Sequence, residues 1–167
     1  IVKIPSHEAY NLNLIKKCIK KFNLVLISCG AITYNELYRL IKLTKNKKNV
    51  VLMHCVSSYP LMPDNCNFKK YEFLQKNFKT VGYSGHFDGL EDALYAINKK
   101  AIFIEKHFTI NKKLPGRDNK FALLPKDFSF LRNYIDLKKK FEKNKGLGLQ
   151  KSEKDIYKNY RGFFFQF

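Results

Sequence analysis

His86 and His107 stand in the segments G-Y-S-G-H and I-E-K-H-F, each directly after an apolar run of strand length. If the two runs are neighbouring strands, the imidazoles can meet as two ligands of a divalent metal that keeps positions open for water and substrate. A hydrogen-bonded structural histidine is the alternative for each taken alone. Lys3 ends another such run. Its amine can form a Schiff base with a carbonyl substrate, serve as a fixed cation for a phosphate or carboxylate, or snorkel to solvent. Hydroxyls at Ser6, Ser28 and Ser84 would converge on the same mouth, and one cation with several neutral donors suits a bound anion. Singly, each serine reads as a turn or cap residue.

Other reactive side chains fall at the same kind of position. His54, Ser57, Ser58 and Tyr59 follow the run that begins at Val50. Tyr59 can flank a pocket or simply pack. Asp118, in P-G-R-D, lies in a loop beyond His107, from which a carboxylate can fold back onto sugar hydroxyls or form a turn. Glu8 and Glu105 are candidates for proton transfer or for orienting metal ligands from behind. Lys106 is expected to point away from Glu105, because neighbours on a strand alternate.

The elements that must position these groups are legible from hydrophobic period. Five apolar runs recur at intervals of about 25 residues, over 1–4, 24–28, 50–55, 80–84 and 101–105. Between them lie stretches such as Leu12, Ile15, Ile19 and Leu37, Leu40, Ile41, whose apolar residues share one helical face. The order βαβαβαβαβ calls for a parallel sheet with right-handed crossovers, whose strand ends deliver every following loop to one face. An open doubly wound sheet and the last five units of an eight-stranded barrel both satisfy this pattern. No Gly-rich phosphate turn follows a strand, as a nucleotide-binding doubly wound domain would require. After the fifth strand the sequence predicts a loop over 111–124, a Lys-rich helix over about 126–143, and an irregular tail over 146–167. The whole reads as a single domain, with about 1–145 in strands and helices.

A formal charge of +18 first suggests nucleic acid. The basic residues are nearly all lysines spread over helix faces and turns, and the arginines are only Arg39, Arg117, Arg132 and Arg161. Base reading favours arginine, so a solvated basic surface with no nucleic-acid partner is the expectation. A non-enzymatic basic domain that binds nucleic acid remains the competing reading, and a Schiff-base aldolase using Lys3 is another. Cys18, Cys29, Cys55 and Cys66 stand singly, which fits a reducing cytoplasm. No apolar run approaches the roughly 20 residues that span a bilayer, so no membrane partner is expected.

Six strings, V-K-I-P-S-x-E, L-I-S-C-G, M-H-C-V-S-S-Y-P, V-G-Y-S-G-H, I-E-K-H-F-T and L-P-G-R-D, occur in this order from Val2 to Asp118. In that order and spacing the chain resembles the N-acetylneuraminate (sialic acid) synthase family, which includes pseudaminic and legionaminic acid synthases. The likeness runs from Ile1 to about Arg161. It implies an α/β fold, a partial TIM (β/α)8 barrel made of about the last five β/α units plus a C-terminal helical extension. It implies a transferase that condenses phosphoenolpyruvate with an open-chain N-acetylated mannosamine-type sugar, releasing phosphate and forming a nonulosonic acid. By resemblance His86 and His107 hold a divalent metal, Mn2+ or Mg2+. Lys3, Ser6, Ser28, Ser57 and Ser84 bind phosphoenolpyruvate, Tyr59 and Asp118 contact the sugar, and Glu8 and Lys3 are the catalytic candidates. Full-length relatives are expected to be homodimers.

The departures are specific. The family usually reads S-D-H where this chain has Ser84, Gly85 and His86. It usually reads P-G-P-D-H followed by a serine, whereas here Arg117, Asn119 and Ala122 stand in that loop, and Arg161-Gly162 replaces R-R-S. The first three barrel strands and a small C-terminal domain of the family have no counterpart in these residues. The expectation is therefore a fragment that lacks activity alone, with two open, aggregation-prone sheet edges.

Overall fold

The computed structural model describes residues 1–162; the aromatic string Phe163, Phe164, Phe165 lies outside the described residues. Five strands, β1 (Val2–Ile4), β2 (Val25–Ser28), β3 (Val50–Cys55), β4 (Val81–Gly85) and β5 (Ile104–Lys106), pair in parallel in chain order. Four helices cross between them: α1 (Leu12–Lys21), α2 (Tyr34–Thr44), α3 (Phe68–Asn77) and α4 (Glu91–Asn98). This is half of a parallel β/α barrel. No strand is inserted out of order, so it is not a doubly wound sheet.

The helices begin where local chemistry satisfies their first N–H groups. The Asn11 side chain accepts from the Leu14 amide at 3.1 Å at the head of α1. Thr33 and Glu36 cap α2 reciprocally, with the Thr33 amide donating to Glu36 Oε2 at 2.7 Å. α1 stops at Phe22, whose carbonyl, with that of Ile19, accepts from Asn49 Nδ2.

Alternation along the strands separates two faces. Ile4, Val25, Ile27, Leu52 and Val81 pack outward under Ile15, Leu40, Tyr71 and Leu74 of the helices, forming one buried cluster. Leu40 and Leu52 are fully buried there, and truncating either to alanine costs about 2–5 kcal/mol. The alternate residues lie on the opposite, inward face. The register pairs Lys3 with Leu26, Cys55 with Ser84, and Ser84 with Glu105. Polar groups are thereby stacked at the C-terminal ends of successive strands.

β5 begins at Ile104, later than the apolar run from Ala101 suggests. Lys100 takes a positive φ of 66°, and the Ile102 amide donates to the Val81 carbonyl at 3.0 Å just before the regular strand begins. The chain divides into two compact units, Ile1–Asn133 and a second beginning at Tyr134. α5 (Pro125–Phe141) starts where the Asp127 carboxylate accepts from the Leu124 amide at 2.8 Å. In the second unit Lys138 pairs with Glu142 along the helix. The tail expected to be irregular contains a 3-10 turn at Lys151–Glu153 and a short helix, α6 (Lys154–Asn159). Gln150 and Glu153 cap this start reciprocally, a local signal hidden in a polar sequence. Arg161 lies 4.4 Å over the Tyr157 ring.

Candidate active site

At the C-terminal ends of β1, β3, β4 and β5 the inward side chains enclose a cavity of about 430 Å3. Lys3, Ser6, Ser57, Tyr59, Ser84, His86, Glu105 and His107 are among the residues that line it. The two imidazoles lie with ring centroids 5.2 Å apart, inclined at 69°. The Tyr59 ring stands 4.2 Å from His86 and 6.1 Å from His107. Lys3 Nζ is 3.0 Å from Glu105 Oε1, so a cation and a carboxylate from the two edge strands meet across the mouth.

Both histidines are oriented from behind. His86 Nδ1 is 2.9 Å from the Val56 carbonyl, which can only accept, so the proton sits on Nδ1. His107 Nδ1 faces Asp118 Oδ2 at 3.3 Å. Burial pushes both imidazoles below the usual histidine range, and at His107 the neighbouring His86 pushes the same way. Both are therefore neutral near pH 7, with Nε2 of each bearing a lone pair. Phe121 backs His107 with a centroid separation of 5.2 Å.

Two neutral imidazoles are the ligands this site could offer a divalent cation, which would leave the other positions open. Among the described residues no group of three or more His, Cys, Asp or Glu side chains stands close enough to hold an ion. The remaining positions would fall to water and substrate.

Several sequence expectations are placed elsewhere. The Glu8 carboxylate accepts from Asn11 Nδ2 at 3.1 Å and does not line the cavity; the 3-10 turn Ser6–Glu8 directs His7 to the cavity and Glu8 toward α1. Ser28 is fully buried, its hydroxyl without a partner, and it too lies off the cavity wall. His54 points outward into Phe68, Tyr71 and Tyr83, with Nε2 donating to the Cys66 carbonyl at 2.8 Å. Asp118 is held at His107 rather than on the cavity wall. Lys106 points away from Glu105 as alternation requires, into a buried pair with Asp92.

Four residues escaped the sequence reading: His7, which lines the cavity, and Cys55, Gly30 and Asp92. Cys55 lines the cavity and accepts from the Ser6 hydroxyl at 3.4 Å. A Cβ at Gly30 would lie 2.5 Å from Ser57 Oγ and 2.7 Å from Ser6 Oγ, so glycine is what lets both hydroxyls approach the backbone. Asp92 sits on a helix face that resembles any other amphipathic surface. Only the Gly in L-I-S-C-G offered a signal, as a strand-end glycine marks close approach.

The class of protein is thus a parallel β/α barrel domain with a lysine, hydroxyls and two imidazoles on its C-terminal rim. The chain belongs to the NeuB family, whose profile matches residues 1–146. It is 35% identical over 164 residues to the N,N'-diacetyllegionaminic acid synthase of Campylobacter jejuni, covering 95% of this chain and 48% of that protein. It is 34% identical to the N-acetylneuraminate-9-phosphate synthase of Drosophila melanogaster, covering 80% of this chain and 37% of that one. The sialic acid synthetase structure from Leptospira borgpetersenii, in complex with citrate, superposes with a TM-score of 0.78 at 30% identity, covering 93% of this chain and 55% of that one. The chain thus spans about half the length of these relatives.

Proposed function

We propose that this domain belongs to a nonulosonic acid synthase, condensing phosphoenolpyruvate with an N-acetylmannosamine-type sugar and releasing phosphate. The observation that carries the reading is the meeting of Lys3, Ser6, Ser57 and Ser84 with His86 and His107 around one cavity. The names of the relatives support it.

Carbon 3 of phosphoenolpyruvate attacks the sugar aldehyde, whose oxygen takes up a proton as the carbon–carbon bond forms. Water adds to carbon 2 and gives up one proton; the resulting hydroxyl then loses its own proton as the C2=O carbonyl forms and the bond from carbon 2 to the phosphate oxygen breaks, the second proton leaving with inorganic phosphate. The Lys3 ammonium and the hydroxyls hold the anion before and during this charge shift. Ser57 Oγ is buried and unpartnered, so a ligand oxygen would satisfy it. Glu105 keeps Oε2 buried without a partner while Oε1 binds Lys3. It replaces Glu8 as the carboxylate placed to accept the proton of the attacking water. His86 and His107 would hold a divalent cation, manganese or magnesium, through Nε2. When bound, the cation supplies Lewis-acid polarisation of the aldehyde. Tyr59 forms the wall on which the sugar would lie.

The pairing of Lys3 with Glu105 favours a fixed cation over a Schiff-base nucleophile. Among the described residues no helix is long and apolar enough to cross a membrane. All four cysteines are free, which supports a cytoplasmic setting. Small-molecule substrates, no nucleic acid, and a homodimer of the full-length protein complete the proposal.

The test is calorimetric titration of the 167-residue chain with phosphoenolpyruvate and with Mn2+. The expected result is that both bind, that Lys3→Ala abolishes the first, and that His86→Ala strongly weakens the second. Binding of neither, or binding indifferent to both substitutions, would overturn the reading.

A further inference from the structure

The cavity is backed by a second cluster that the proposed chemistry does not use. On the outward side of β4 and β5, Lys106 Nζ lies 2.9 Å and 3.0 Å from the two oxygens of Asp92, and donates to the Phe87 carbonyl at 2.7 Å. The Tyr83 hydroxyl donates to Asp92 Oδ2 at 3.0 Å. Both charged side chains are 1% exposed. Burying such a pair is costly in desolvation, and an apolar pair of similar volume would fold as well or better. Stability alone therefore does not account for it.

Its position does. Lys106 immediately precedes His107, and Phe87 immediately follows His86. One ammonium is thus fixed to the backbone of one histidine segment and bonded to the backbone of the other. Asp92, from the first turn of α4, holds that ammonium in place through two oxygens, and its Oδ1 also accepts from the Ala93 amide at 2.7 Å. Gly85 makes room for this. A Cβ there would lie 2.3 Å from Asp92 Oδ2 and 2.5 Å from Tyr83 Cε1.

We infer that Asp92 is a positioning residue: through Lys106 it clamps the strand ends of β4 and β5 so that His86 and His107 share one point, and Gly85 is the gap that admits it. The clamp deepens the reading of the two histidines as cation ligands and rests on it for its function, but its geometry stands apart. Outer partners that orient metal ligands typically change metal affinity 10- to 100-fold when removed.

The experiment compares the wild-type chain with Asp92→Asn and with the double variant Asp92→Leu/Lys106→Met, in which an apolar pair preserves the packing if the single variant fails to fold. Two signals are read: Mn2+ affinity by electron paramagnetic resonance, and ring-proton contacts among Tyr59, His86 and His107 by NMR in metal-free protein. The expected result is a folded double variant with at least about tenfold weaker Mn2+ binding and lost or weakened His86–His107 contacts. Lys106→Arg, which keeps a buried cation, should retain more of both signals than the double variant. Wild-type Mn2+ affinity with unchanged ring contacts in the folded double variant would overturn the clamp. Should the wild type bind no Mn2+, the cation reading fails, and the NMR contacts alone decide: the clamp stands if they are lost in the double variant and falls if they persist.

Discussion

His86 and His107 face each other across 5.2 Å from adjacent strand ends, each with Nδ1 turned to an acceptor behind it. Two ligands of one ion act as a unit, so their replacements are not additive. His86→Ala and His107→Ala are each expected to reduce Mn2+ affinity by about tenfold or more, and the double variant to lose little beyond the worse single one. Titration of the three variants checks this; independent, additive losses would place the ion elsewhere.

Lys3 and Glu105 are both about one-third exposed and 3.0 Å apart. A pair so hydrated contributes under about 1 kcal/mol to stability. Lys3→Ala should leave thermal unfolding nearly unchanged while removing phosphoenolpyruvate binding. Glu105→Gln should tighten phosphoenolpyruvate severalfold, because it frees the ammonium from a competing anion. Calorimetry with urea melts separates the two effects.

Gly30→Ala should be costly, because Gly30 is buried where neighbouring side chains close on its backbone. The added methyl meets Ser57 Oγ, Ser6 Oγ and, at 3.1 Å, Cys55 Sγ. Overpacking of this kind costs about 1–3 kcal/mol. The displaced hydroxyls should also weaken anion binding. A variant with wild-type stability and affinity would show that the serines do not crowd this backbone.

Ser28→Ala runs opposite to the sequence expectation. The hydroxyl is fully buried, unpartnered and off the cavity wall. Removing a buried polar group that has no hydrogen bond is expected to be neutral or to stabilise by about 1 kcal/mol, with phosphoenolpyruvate affinity unchanged. Loss of binding in this variant would return Ser28 to the site.

His54 gives the fold an acid sensitivity. Burial among aromatic rings pushes its imidazole down to about 4 from an ordinary 6.5. Above pH 6.5 neither folded nor unfolded chain binds the proton, and nothing changes. Between about 6.5 and 4 only the unfolded chain binds it, so folding stability falls with pH, by about 3 kcal/mol in all. Urea unfolding of wild type and His54→Phe across this window should show a smaller fall in the variant. Parallel curves would assign the acid sensitivity to other groups.

The half-barrel was legible because its signals are local. A parallel strand buried on both faces reads as an apolar run, as Val50–Cys55 does, and the helices announce themselves by period and by caps such as Thr33 with Glu36. The rim was legible for the same reason: alternation puts Lys3, Ser84 and Glu105 on one face and sends Lys106 to the other. His86 and His107 followed from the order of the strands.

Tertiary structure alone decided which rim residues reach the cavity. Ser28 and Glu8 have the right types at the right sequence positions, yet Ser28 is buried off the cavity wall and the turn of Ser6–Glu8 carries Glu8 toward α1. Cys55 and Asp92 lack any one-dimensional mark, and Gly30 carries only that of a strand-end glycine, because their roles depend on what approaches them from distant strands and helices. Hydrophobic period specifies which face a residue takes. Distance across a closed site is set by sheet register, twist and helix docking, and those are sums over the whole packed core.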